Sequence, residues 1–531
     1  MRRRRLLGAV GSGAAAAALA RPALAQTASA RTLRFVPIAD LGVLDPIVTT
    51  TYITRNHGFL VWDTLYGLDD AARARPQMAE GHSVEEGGRR VLIRLRPGLR
   101  FHDGEPVLAR DCVASIRRWG ARDPLGQTLL ALADALEAPD DRTVLFRLRR
   151  PFPLLFDALA KTSPPVCFVM PERLARTDPA RPVAEAVGSG PFRFLPDERV
   201  AGARVAYARF EGYAPRPDGE PSGTAGPKRA FFDRVEWRTI PDPSTAAAAL
   251  RAGEADWWEF PTPDLLPLLR RHRDLRVENP DPFGFMGALR FNHLHPPFDD
   301  PAARRALLPA VVQADYMAAV AGADRSAWRD GVGFFPPGAP MANDAGLEAL
   351  AGPRDPVAAR RTLAAAGHGG ARATLIGPTD YPNVQALTEV GADVLRRAGL
   401  DLDYAPSDWA TVVGRRANKE PPARGGWNAL FTFFSGLDFL HPGVHLMLRA
   451  NGAAAWPGWP ASPALEELRA AWLEAEGAEA QRRVAAEIQR RAFEDLPYVP
   501  LGQFFQPTAY RRSLSGMLKG ATVFWNVRRA E

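Results

Sequence analysis

The 531-residue chain predicts an α/β protein. Three observations predict it. Short runs with period-2 apolar alternation recur along the chain, longer runs with helical spacing separate them, and Asp-Pro or Gly residues bracket those helical runs. The composition, 46% apolar and 24% charged, is that of a globular chain with ample core.

The elements follow in order. Residues 33–38 form a first strand. Val91, Ile93 and Leu95 alternate with polar neighbours, and Val144, Phe146 and Leu148 repeat the pattern. Val235, Trp237 and Thr239 form another such run. An alanine-rich helix follows, with Ser244 as a reasonable N-cap and Gly253 as its C-terminal stop. Asp300-Pro301 opens a helix expected to reach Val312, and Asp355-Pro356 opens one ending before Gly367. Residues 374–376 are a strand. Leu387, Val390, Val394 and Leu395 mark a helical face closed at Gly399, and Leu400, Leu402 and Tyr404 alternate as the next strand. Two helices follow between Ala464 and Phe493. Stretches 213–227 and 331–346, rich in Pro or Gly, read as loops. This β-α-β order predicts a partly parallel sheet covered by helices.

Length suggests three or four domain-sized units. Beyond the N-terminus no apolar stretch reaches membrane-spanning length. The net charge of +7 is concentrated at one end: Arg2 to Arg5 and Arg21 supply five positive charges where there is no acid. Elsewhere acids and arginines are interspersed, so no nucleic-acid face is expected. Residues 1–25 read as a cleavable signal peptide: consecutive arginines, a weakly apolar core, and Ala23-Leu24-Ala25 as the cleavage site. The arginines and Arg21 are similar to a twin-arginine signal, with an ordinary Sec signal as the alternative. No lipobox cysteine follows, so no lipid anchor is expected. Export implies a periplasmic protein. Cys112, in an expected helix, and Cys167, in an expected strand, read as two buried apolar groups.

Catalytic motifs are mostly absent. The chain has no G-x-x-x-x-G-K-[ST], no H-E-x-x-H and no G-x-S-x-G. His102-Asp103 reads as a turn or an acid-base pair. His441 with His445, and His293 with His295, lack a third ligand for a metal. No cofactor and no metal are expected.

Several blocks occur in a telling order. They include Leu44-Asp45-Pro46, then residues 61–66 (V-W-D-T-L-Y), then Arg96-Pro97-Gly98-Leu99-Arg100-Phe101-His102-Asp103-Gly104. Gly188-Ser189-Gly190-Pro191-Phe192 follows, then Ala249-Leu250-Arg251-Ala252-Gly253-Glu254, then Arg290-Phe291-Asn292. With these the chain resembles the family 5 extracellular solute-binding proteins of ABC transporters, the dipeptide, oligopeptide and nickel binding group, over about residues 31–530. The resemblance implies a two-lobed, Venus-flytrap periplasmic-binding-protein fold with an extra subdomain in the first lobe. Lobe I would take 26–62, a subdomain at 63–187, 188–282 and 494–531; lobe II would be 283–493.

The resemblance also implies site residues. Peptide-binding relatives hold the ligand's α-ammonium with an aspartate in a G-W-x-x-D-x-x-x-P segment. Here Asp438 and Pro442 keep those places, and Ser435 stands where tryptophan is common. Asp438 is also a reasonable cap for a helix starting near Pro442. Trp427, Phe431, Phe433 and Phe434 are aromatics that line a pocket or fill a strand core. Tyr52 is the candidate from lobe I. Asp438, Trp427, Phe434, Ser435 and Tyr52 are thus the expected ligand-binding residues, and no arginine stands out for a ligand carboxylate. The expected function is capture of a short peptide or related amine by a monomer that delivers it to an ABC permease and ATPase. The alternatives are a non-peptide solute (an opine, a sugar derivative, haem or a nickel chelate) and a secreted hydrolase.

Overall fold

The computed structural model describes residues 31–530. The signal peptide expected at 1–25 lies outside the described residues. Two sheets organise the rest. The first has seven strands in the order Leu275–Glu278, Thr508–Arg511, Trp257–Trp258, Thr32–Val36, Arg234–Arg238, Arg204–Arg209, Phe192–Phe194. Thr32–Val36 runs parallel to both of its neighbours, and the other pairs are antiparallel. The second has six: Trp328–Arg329, Val499–Phe504, Phe285–Phe291, Ala429–Ser435, Arg372–Pro378, Asp401–Ser407. Here Arg372–Pro378 is parallel to both neighbours. A separate four-stranded antiparallel sheet (Ala79–Glu85, Arg90–Leu95, Thr143–Leu148, Ala133–Asp140) packs into the core of the first lobe.

The chain crosses between the two large sheets twice, between Glu278 and Phe285 and again between Phe504 and Thr508. The return was expected at 494. Instead Val499–Phe504 pairs with Phe285–Phe291 and Trp328–Arg329 in the second sheet. All six of its residues are buried, as in a strand whose two faces are both covered.

Local chemistry explains the helix boundaries. Asp242, not Ser244, caps the alanine-rich helix Pro243–Ala252: its carboxylate accepts the Thr245 N–H at 2.7 Å, and Pro243 needs no partner at the first position. Gly253 closes the helix at φ 78°, the left-handed region where a side chain is strained. Asp300 and Asp355 cap in the same way. The helix from Pro301 stops at Ala306 and passes into a 3-10 turn, Leu308–Ala310, rather than reaching Val312. Pro309 has no N–H to continue the ladder. Cys112 lies in helix Ala109–Gly120, but Cys167 lies outside any strand, beside a single bridge from Phe168 to Thr64. Both thiols are free and buried. No described helix is long and apolar enough to cross a membrane.

Candidate functional site

The helix Tyr52–Val61 is buried along its whole length. It leaves the first sheet and presents its first turn to the second lobe. Tyr52 packs into the second lobe's core cluster. Arg55, one turn on, lies over the Tyr52 ring at 4.4 Å.

From the other side comes the central strand Ala429–Ser435, buried throughout and apolar except at Thr432 and Ser435. It ends in the 3-10 turn Gly436–Phe439. Gly436 donates its N–H to the Gly284 carbonyl at 2.7 Å, and a Cβ there would collide with the Phe283 carbonyl. This tight turn aims Asp438 at the seam between the lobes. Asp438 does not cap a helix at Pro442; the chain there forms turns.

The two sides meet at three groups. Tyr52 donates its O–H to Asp438 Oδ2 at 2.5 Å, and the Tyr52 phenol oxygen itself accepts the Ser435 N–H. The Ser435 hydroxyl donates to Asp281 at 3.0 Å, on the first crossing between lobes. Asp438 is 1% exposed, and its Oδ1 has no partner among the described residues. Burial pushes its carboxyl up to about 6, opposed by Arg55, the Tyr52 bond and Lys161. Burial also raises Asp281 and Glu259 above the usual carboxylate range. Glu259 is tied to Asn56 at 2.8 Å, next to Arg55.

Of the expected residues, Tyr52, Phe434, Ser435 and Asp438 come together. Phe434 packs edge-on to Tyr52 and lines a narrow crevice between the lobes. Trp427 does not join them. It is fully buried in the second lobe, its indole N–H held by the Arg416 carbonyl at 3.0 Å and its own carbonyl by Asn292.

Beside the crevice lies a larger chamber. Thr50 and Arg416 line both. The lobes are bonded across this region. The Trp456 indole donates to Thr50 Oγ1 at 3.1 Å, Arg416 to the same oxygen at 3.4 Å, and Arg449 to the Pro124 carbonyl at 3.2 Å. Sequence reasoning missed Thr50, Arg55, Asp281, Arg416 and Trp456. One signal was available. In the helix Trp409–Arg416 the buried stripe is Trp409, Val412 and Arg416, so an arginine interrupts an apolar face.

The other candidate pairs are held apart. His102 Nε2 bonds to the Gly190 carbonyl at 3.0 Å, while Asp103 pairs with Arg173 at 2.8 Å. Burial holds His102 down to about 4. His441 stacks on Trp472, and His445 bonds to the Phe334 carbonyl. Among the described residues no cluster of three or more His, Cys, Asp or Glu is placed to hold a metal ion.

Comparison with known proteins bears on this interlobe site. A model of bacterial extracellular solute-binding proteins, family 5 Middle, matches residues 73–442. A probable peptide ABC transporter periplasmic-binding protein, y4tO of Sinorhizobium fredii, is 36% identical over 97% of this chain and 98% of its own. Among solved structures, the periplasmic binding protein DppA of Helicobacter pylori in complex with the peptide STSA superposes with a TM-score of 0.78. It is 19% identical, over 96% of this chain and all of that one. AgaA of A. tumefaciens in complex with agropinic acid superposes with a TM-score of 0.76 at 20% identity, over 94% of this chain and 99% of its own. These neighbours share the two-lobed periplasmic-binding-protein fold. The chain belongs to the family 5 bacterial extracellular solute-binding proteins.

Proposed function

We propose that the protein is the substrate-binding component of a peptide-type ABC importer and that Asp438 anchors the ligand's ammonium group. One observation carries this reading: a buried carboxylate oxygen in the seam between the lobes with no partner. An ammonium there forms a charge-assisted hydrogen bond, strongest where water is excluded. The alignment with the Sinorhizobium fredii relative over nearly the whole chain supports the peptide class. A short peptide lies extended, its backbone met by polar groups of both lobes, and contacts to both lobes stabilise the closed form. The protein captures and delivers without turnover. It acts as a monomer in the periplasm, exported through the twin-arginine signal at 1–25, and docks on a permease driven by an ATPase.

Calorimetric titration with tri-alanine and N-acetyl-tri-alanine tests the anchor. Saturable one-to-one binding of tri-alanine is expected, lost on acetylation and on Asp438→Asn. Equal binding of both peptides overturns the ammonium anchor. A non-peptide amine is the second reading, favoured by the fold shared with AgaA, whose bound ligand is agropinic acid.

A further inference from the structure

Arg416 lines both the crevice beside Tyr52 and the larger chamber next to it. It is 6% exposed. Other deeply buried cations have their charge answered on the spot. Arg118 meets Asp45 at 2.7 Å, Lys228 meets Asp63 at 2.7 Å, and Lys161 meets Asp123 at 2.7 Å. Arg290 donates to four backbone carbonyls.

The Arg416 guanidinium has none of this. Among the described residues its side chain has one hydrogen bond, a long one to the neutral Thr50 hydroxyl at 3.4 Å. It stands between the rings of Trp409 at 5.7 Å and Trp456 at 5.2 Å. Burial lowers it to about 10, with no acid offsetting the effect. The chamber beside it adds Arg122, Lys419 and Arg449, and among the described residues no acidic one lines it. Arg449 is answered by Glu466 at 3.0 Å, and Arg122 and Lys419 are exposed to solvent, so the buried unanswered charge is centred on Arg416. Thr50 Oγ1 accepts from both Arg416 and Trp456, which leaves its proton to donate to a ligand oxygen.

We infer that Arg416, with Thr50, is an anion subsite that receives a carboxylate of the solute. A guanidinium matches a carboxylate with two parallel N–H···O bonds, and flanking indoles keep its plane and exclude water. The inference rests on the proposed capture of an amine. Asp438 and Arg416 then make the seam complementary to a zwitterion, with the anionic end toward the basic chamber. The carboxylate comes from a peptide's C-terminus or from an acidic side chain.

Calorimetry at constant pH with tri-alanine, tri-alanine amide and Ala-Ala-Glu amide separates these cases. Wild-type protein is expected to bind tri-alanine about 10- to 100-fold more tightly than its amide, the range of a buried charged hydrogen bond. Arg416→Gln should bring tri-alanine down to the level of the amide and leave the amide unchanged. Arg416→Lys should retain part of the preference, and it guards against a folding defect in the glutamine variant. Recovery of tight binding by Ala-Ala-Glu amide assigns the subsite to a side-chain carboxylate; its failure to recover assigns the subsite to the C-terminus. Equal affinity of tri-alanine and its amide for wild type overturns the inference while leaving the Asp438 anchor standing. Binding of none of the three peptides defeats the peptide reading instead. The solute released from wild type by urea is then identified by mass spectrometry. An acidic compound absent from Arg416→Gln supports the subsite, and a compound without an acidic group overturns it.

Discussion

The buried charges of the first lobe and those of the seam follow opposite rules. Arg118, Lys228 and Lys161 each find a carboxylate at 2.7 Å within the first lobe or its subdomain. At the seam, one oxygen of Asp438 and most of the Arg416 fork have no protein partner among the described residues. Burying an unpaired charge costs stability, and a fold tolerates it where a ligand supplies the partner. On the proposed reading, pairing rather than burial separates structural charges from ligand-facing ones in this molecule.

Removing a structural partner is expected to have the largest effect. Asp45→Ala strands Arg118 in the core and is expected to cost about 3–5 kcal/mol. Urea unfolding reads this directly, and a loss under 1 kcal/mol would erase the contrast. Asp438→Asn is the mirror experiment. It should weaken tri-alanine binding by about 10- to 100-fold. Its unfolding midpoint should stay level or rise, since an unpaired buried charge is gone.

A pH series sharpens the same point. Native Asp438 holds its proton up to about pH 6, whereas the unfolded side chain loses it near 3.8. The folded chain therefore binds more protons in that window. Stability from this group falls as pH rises from about 4 to about 6, and the full cost is present above it. The total is on the order of 3 kcal/mol. The contribution should vanish in Asp438→Asn, while tri-alanine affinity in wild type should drop below pH 6 as the carboxylate is lost. Trp427→Phe leaves the Arg416 carbonyl without its donor and should lower stability by about 1–3 kcal/mol. Tri-alanine affinity should stay within about two-fold, the hallmark of a core residue. Ser435→Ala removes the Asp281 link at the crossing and should weaken binding only about three- to five-fold, in line with one neutral hydrogen bond.

Some strands of each large sheet were legible because period-2 runs and Asp-Pro caps are local signals. Thr32–Val36, Arg90–Leu95 and Arg372–Pro378 announce themselves by alternation or by apolar runs. The membership of Val499–Phe504 was not legible, since a buried strand reads the same in either sheet. At the site, Asp438 and Tyr52 were reached through the resemblance of their segments. Trp427 was misplaced because an aromatic beside a strand reads alike as core or as lining. Arg416 was hidden among many arginines; only its place on the apolar stripe of a helix distinguishes it.

The second crossing governs when each lobe can be finished. Val499–Phe504 pairs on one side with Phe285–Phe291 in the second sheet. Four residues later Thr508–Arg511 slots between Trp257–Trp258 and Leu275–Glu278 in the first. Domains otherwise tend to fold in order of synthesis. Here neither sheet closes until residues 499–511 have left the ribosome, some 500 residues into translation. Until then the tryptophan strand and the Phe285–Phe291 strand each present an open edge, the kind of edge that recruits other chains. Both lobes are completed by one late stretch of chain, so a truncation before residue 499 removes a strand from each sheet at once.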